Sequence, residues 1–182
     1  MTVPLELRTP RLRLRQWCAA DRAPFAALNA DPRVTEYFVS TLSSEESDGL
    51  AARIRNHFER HGFGLWAVEI TGETEFAGFI GLCHCPFEAH FTPAVEIGWR
   101  LAALYWNRGY ATEGALAAMS FGFHDLQLDQ IVSLTAAGNI RSRHAMEKIG
   151  MTCDPRDDFD HPSLPVGHPL RRHVLYRTQR MT

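Results

Sequence analysis

The stretch Val95–Gly114, VEIGWRLAALYWNRGYATEG, constrains the fold more than any other part of the chain. Its first half alternates. Val95, Ile97, Trp99 and Leu101 share one face of an extended segment, and Glu96, Gly98 and Arg100 share the other. A period of two with unlike faces defines a strand. A short polar connector follows, with Gly109 at its tightest place. Beyond it Ala111, Ala115, Ala118, Met119, Gly122 and Leu126 recur at helical spacing, most of them small enough to let the helix lie close on a sheet. A strand that passes through a glycine turn into a helix aims several backbone N–H groups at one point, with the positive end of the helix dipole behind them. That arrangement suits a phosphate or pyrophosphate. An ordinary βα corner has the same local pattern, so local chemistry alone leaves both readings open.

The rest of the chain supplies elements on either side. In Leu5–Trp17, Leu12 and Leu14 alternate with Arg11, Arg13 and Arg15, which predicts a strand whose arginines form a wet face. Asp21 is placed to cap a short helix carrying Phe25 and Leu28 and ending near Asp31-Pro32. Ser43-x-x-Glu46 has the form of a capping box and opens a second helix, with Leu50, Ala51, Ile54 and Phe58 on one stripe and Gly62 as its stop. Gly64–Thr71 and Phe76–Cys85 read as strands turned at Thr71-Gly72-Glu73. Gln130–Ala136 reads as a strand and Asn139–Gly150 as a helix with Ser142, Ala145, Met146 and Ile149 facing inward. Arg171–Thr178 closes the chain as a strand. The long segment Asp154–Leu170 between them reads as a loop holding Asp157, Asp158, Asp160 and His161. Irregular alternation of strands and helices around a hairpin predicts a single α/β domain over residues 1–182 with a mixed sheet.

Composition excludes several classes. The 182 residues carry 19 basic and 21 acidic side chains and a formal charge of −2, which fits neither a nucleic-acid coat nor an anionic membrane surface. No signal-peptide core and no run of the roughly 18 apolar residues that a membrane span needs are present, so a cytoplasmic protein is expected. Cys18, Cys83, Cys85 and Cys153 form no paired framework, and buried reduced thiols are the simplest reading. Cys83 and Cys85 share a strand face from which His84 points away. His57 and His61 have a metal-compatible spacing but flank the apolar stripe of their helix, so half-buried packing is expected and no metal site is assigned.

The segment Trp106-Asn107-Arg108-Gly109-Tyr110-Ala111, with Glu96-Ile97-Gly98-Trp99 before it and Thr112-Glu113 after it, resembles the acetyl-CoA motif of the GNAT acetyltransferase superfamily. It is most similar to the branch of ribosomal-protein alanine N-acetyltransferases, over about Leu7 to Arg177. Trp106 departs from the Gln or Arg usual at that position. The resemblance implies a centrally splayed sheet. Trp99 and Leu101 would bind pantetheine through the main chain, and Asn107, Arg108, Gly109, Tyr110, Ala111 and Thr112 would cradle its pyrophosphate. Asn139–Gly150 resembles the second family motif, which adds Asn139 to the cofactor set. The tyrosine that many members carry is here Met146, which cannot donate a proton. Ser142 matches the serine of the ribosomal-protein branch. Val34–Thr41, with Tyr37 and Phe38, would form a wall of the acceptor pocket.

Acetyl transfer from a thioester to an amine needs a base for the amine, a donor for the oxyanion and a proton for the departing thiolate. No Cys–His or Ser–His pair suggests a covalent intermediate, so direct attack in a ternary complex with acetyl-CoA is expected. Glu96 is the candidate base and Ser142 the candidate acid. Asp157, Asp158 and Asp160 are the candidates for drawing in a protonated amine, from a small molecule or a protein N-terminus. A homodimer is open. The competing function is a non-catalytic acyl-CoA binder on the same fold, favoured by the departures at Trp106 and Met146.

Overall fold

The computed structural model describes residues 6–180; Leu5, where the first expected strand begins, lies outside them. The N-terminal segment forms two short strands, β1 (Leu7–Arg8) and β2 (Leu12–Arg15). Helices α1 (Arg22–Ala30) and α2 (Ser44–His61) follow. Ser43 caps α2 as its sequence requires: its Oγ accepts from Glu46 N–H at 3.2 Å, and Glu46 Oε2 accepts from Ser43 N–H at 2.7 Å. The hairpin strands are β3 (Leu65–Ile70) and β4 (Thr74–His84), and the central strand is β5 (Val95–Leu101). Helix α3 (Tyr110–His124), β6 (Gln130–Ala136), α4 (Ile140–Lys148), β7 (Thr152–Cys153), β8 (Phe159–Asp160) and β9 (Arg172–Gln179) complete the chain. The expected loop Asp154–Leu170 is therefore not featureless: β8 pairs with β9, and Pro155–Asp157 forms a 3-10 turn.

One sheet runs in the order β1-β2-β3-β4-β5-β6-β9-β7, with β8 also on β9. Described neighbours are antiparallel except β5 and β6, which run parallel and meet at a single rung, Glu96 opposite Val132. This is the mixed, centrally splayed α/β sheet that the alternation and the resemblance predict. One face packs on α3. Trp66 and Phe121 meet edge-on at 5.4 Å, and a Cβ on Gly114 would stand 2.5 Å from Ile80 Cδ1, so a larger residue there makes the Ile80 side chain give way. On the other face Phe25 of α1 packs edge-on against Phe79 and Phe76. A smaller apolar group of Phe91, Val132, Phe159 and Leu175 lies beyond the split.

The first strand's arginines are not a uniform wet face. Arg13 pairs with Glu6 and Glu69. Arg15 turns inward onto Asp21, which is 1% exposed and accepts from both Arg15 Nη atoms and from the Cys18 amide, each at 2.8 Å. Asp21 thus holds the β2–α1 corner and makes no side-chain cap on α1. The thiols also differ from expectation: Cys18 and Cys153 are exposed and Cys83 and Cys85 half-buried, all four unpaired, because Cys18 and Cys153 lie outside the apolar faces.

Burial pushes the Asp21 carboxyl upward, but the bonds from Arg15 and Cys18 outweigh it and hold the group below the usual carboxylate range. Its contribution to stability is therefore complete above the unfolded pKa of about 4 and is lost as pH falls through the lower folded value. Asp21→Ala, which leaves Arg15 with Glu69 at 3.4 Å and the Glu75 carbonyl at 2.7 Å, should cost about 1–3 kcal/mol in urea denaturation and flatten the acid limb of stability against pH.

Candidate active site

The split between β5 and β6 sets the site. Backbone groups alternate along a strand, and the odd-numbered residues of β5 turn theirs toward β6. Ile97 C=O accepts the Ser133 hydroxyl at 2.9 Å, which bolts the two strands at the point where they part. Past it, the backbone of Trp99 and Leu101 faces the opening. The Leu101 carbonyl is already taken by the Trp106 indole N–H at 2.8 Å, leaving its N–H for a ligand. Trp106 thus closes back on the strand end, and the Arg141 guanidinium stacks on it at 4.5 Å.

The connector into α3 makes a cradle. Asn107 (φ 60°) and Gly109 (φ 82°) adopt left-handed backbone, and Gly109 is the N-cap of α3. The first backbone bond of the helix is Glu113 N–H to Gly109 C=O at 3.0 Å, so the preceding N–H groups look outward. Asn107, Arg108 and Gly109 are exposed, Ala111 and Thr112 half-buried and Tyr110 buried. Arg11 frames this loop. It donates to Arg108 C=O at 3.0 Å and to Glu113 Oε2 at 2.6 Å, and covers the Tyr110 ring at 4.6 Å. Arg108 and the Tyr110 hydroxyl both bond Glu73, at 2.5 and 3.0 Å. Arg11 reads in the sequence as a strand's solvent face, and nothing local reveals a partner 97 residues away. Outward N–H groups, two left-handed residues and a nearby guanidinium fit a pyrophosphate.

The polar face of β5 carries the ionisable groups. Burial pushes the Glu96 carboxyl up to about 7, and no cation among the described residues offsets that effect. Glu96 stands opposite Cys83, whose thiol is raised by burial and by the Glu96 charge; Cys85 is pushed to about 12 by the same causes. A Cβ on Gly98 would meet nothing within 4 Å, so the strand is open between Glu96 and Arg100. Arg100 Nη1 donates to Asn29 Oδ1 at 2.5 Å, and Phe38 lies over the guanidinium at 4.0 Å. Its buried Nε finds no acceptor among the described residues, and burial lowers its pKa to about 10. Sequence reasoning passed over Arg100 and Asn29 as site residues; the alternation Glu96, Gly98, Arg100 was the available signal.

Phe38 lies over this face, whereas Tyr37 lies by Gly138 and Arg141. Phe38 is 45% exposed over Arg100, and Tyr37 is half-buried with Arg141 5.9 Å from its ring. Asn139 caps α4, its Oδ1 accepting from Ser142 N–H at 3.2 Å while its Nδ2 donates to Thr135 at 3.0 Å. Ser142 is half-buried in the first turn, and Met146 is 1% exposed in the core. The acidic group is mostly balanced: Asp157 faces Arg177 at 2.8 Å and Asp160 faces Arg171 at 3.2 Å, with Asp158 half-buried between them. Those arginines weaken the field the three carboxylates could offer an arriving cation.

The comparisons give the class of protein to which this split sheet belongs, an acyltransferase. The chain belongs to the GNAT acetyltransferase family, whose acetyltransferase (GNAT) domain model matches residues 11–152. Among its relatives, Bacillus subtilis YkkB is 31% identical over 154 residues, covering 83% of this chain and 87% of YkkB. An acetyltransferase structure from Agrobacterium tumefaciens is 28% identical with a TM-score of 0.79, covering 99% of this chain and 96% of that one. The fold also matches RimL, a ribosomal L7/L12 alpha-N-protein acetyltransferase solved with coenzyme A, at 15% identity and a TM-score of 0.74 over 97% of each chain.

Gly109 tests the cradle. A β-branched residue is strained at φ 82° and would crowd the Arg11 guanidinium, 3.3 Å from a Cβ there. Gly109→Val should abolish acetyl-CoA binding by calorimetry while circular dichroism stays native; unchanged affinity in the folded variant would remove this loop from the site.

Proposed function

We propose that the chain is an acetyl-CoA-dependent N-acetyltransferase that places an acetyl group on a primary amine, of a small molecule or a protein N-terminus, by direct attack in a ternary complex. The observation that carries this reading is Glu96: a carboxyl with no cationic partner among the described residues, raised by burial to about 7, on the strand where the sheet opens. A group of that pKa takes a proton from an ammonium near neutral pH, directly or through a water, which is what an amine nucleophile needs. Acetyl-CoA supplies the activated acetyl group. The N–H groups of the Asn107–Thr112 connector and the main chain of Trp99 hold it, with the Leu101 N–H beside them. RimL, solved with coenzyme A on the same fold, supports coenzyme A chemistry as such. Ser142, in the first turn of α4, is the proton donor to the departing sulfur; Met146, buried and without a proton to give, is not. Tyr37 and Phe38 line the acceptor side.

Glu96→Gln should lower turnover about 10²–10⁴-fold and leave acetyl-CoA affinity in place. Because Glu96 acts only when ionised, kcat/KM of the native enzyme should climb as pH rises through about 7 and then level, and the variant should lose that limb. Equal rates and an unchanged profile would make Glu96 structural.

Ser142→Ala should reduce turnover more than it weakens acetyl-CoA binding, read by steady-state kinetics beside calorimetry. Unaltered turnover would leave solvent as the proton source. Acetyl-CoA binding with no CoA release across a broad amine panel would favour the non-catalytic binder.

A further inference from the structure

Three imidazoles meet at the end of β4, where His84 pairs with Val95. His57 and His61 stand one turn apart near the end of α2, and His84 is the last residue of β4. Gly62, in left-handed backbone at φ 76°, ends the helix and turns the chain back toward β3. The β3–β4 ladder stops at Leu65 opposite Gly81, so β4 runs on past its neighbour and the end of α2 covers the exposed edge. There the His84 amide donates to His57 Nε2 at 3.1 Å. Ring centroids are 4.5 Å apart for His57 and His61, 4.6 Å for His61 and His84, and 5.6 Å for His57 and His84, with Phe63 edge-on to His57. One ring nitrogen from each histidine lies within 4.8 Å of the others.

We infer that His57, His61 and His84 form a site for a divalent transition metal, zinc, nickel or copper, joining the end of α2 to the end of β4. A helical i, i+4 histidine pair presents two imidazoles to one point. Zn–N bonds of about 2.0–2.1 Å place tetrahedral ligand atoms roughly 3.3 Å apart. The exposed His61 and His84 rings close the remaining distance by rotating about their side-chain bonds. His57 is already oriented: its Nδ1–H donates to the Phe63 carbonyl at 2.8 Å, which leaves the lone pair on Nε2. Metal-bound histidines carry this outer bond as a rule. Coordination exchanges the His84 amide bond to Nε2 for a metal–nitrogen bond and leaves that amide, on an exposed residue, to water. Three neutral nitrogens without a carboxylate select borderline metals over magnesium or calcium. The fourth position is left to water.

The test uses the full-length chain without an affinity tag, titrated calorimetrically with Zn²⁺ and with Ni²⁺, beside Mg²⁺ as control. One Zn²⁺ per chain is expected, with Tm rising roughly 5–10 °C at a hundredfold excess over Kd. His61→Ala and His84→Ala change exposed side chains, so both variants should fold, and each should weaken Zn²⁺ binding at least tenfold and lose the Tm rise. Cys83→Ser and Cys85→Ser should keep both. Absence of saturable binding would overturn the site, as would full affinity in the two histidine variants or loss of binding on removing the thiols.

Discussion

The parting of β5 and β6 is the constraint on which the other features depend. A parallel pair would normally continue its ladder, since an unbonded buried N–H or C=O is costly. Here it stops after Glu96 and Val132, and the Ser133 hydroxyl takes the Ile97 carbonyl instead. The opening leaves the Trp99 main chain facing a gap that a ligand can enter. It also brings the connector after β5 to the mouth of that gap, so one distortion of the sheet yields the slot and aligns the phosphate cradle with it.

The cradle is then held from outside by charge. Glu113, in the first turn of α3, accepts from Thr9 at 2.6 Å and from the Arg11 amide at 3.0 Å, tying the helix start to the β1–β2 turn. Its negative charge also lies at the favourable end of the helix dipole. Glu73, in the β3–β4 turn, accepts from Arg108 and Tyr110 on the other side. Two hairpin turns on distant parts of the chain therefore fix the loop whose shape Asn107 and Gly109 set.

What was legible in the sequence is what depends on neighbours along the chain. The capping box at Ser43, the turn at Gly72, the strand Gln130–Ala136 and the strand–glycine–helix unit all follow from local periodicity and backbone preference, and all stand where those patterns put them. Trp106 looked like a defect in the motif; its bond to Leu101 gives it a place. Long-range pairings were not legible. Arg15 facing Asp21, Arg11 at the cradle, Arg100 on Asn29 and the arginines opposite Asp157 and Asp160 each depend on how separate elements meet, and composition counts the charges without matching them. His57 and His61 showed their spacing, whereas the arrival of His84 beside them is a property of strand length.

The face of the sheet that carries Glu96 is apolar on both sides of it. Phe25 and Phe79 belong to the main core, and Val132 and Leu175 to the smaller one. Glu96, Gly98 and Arg100 occupy the seam between them. Neither core is built around these side chains, and Gly98 has free space above it. At Gly98, with nothing within 4 Å of a Cβ, an added side chain would reshape the room for an acceptor without opening a cavity in either core. One open position on the strand thus allows the acceptor side to be reshaped while the cradle, tied at two hairpins, is left as it is.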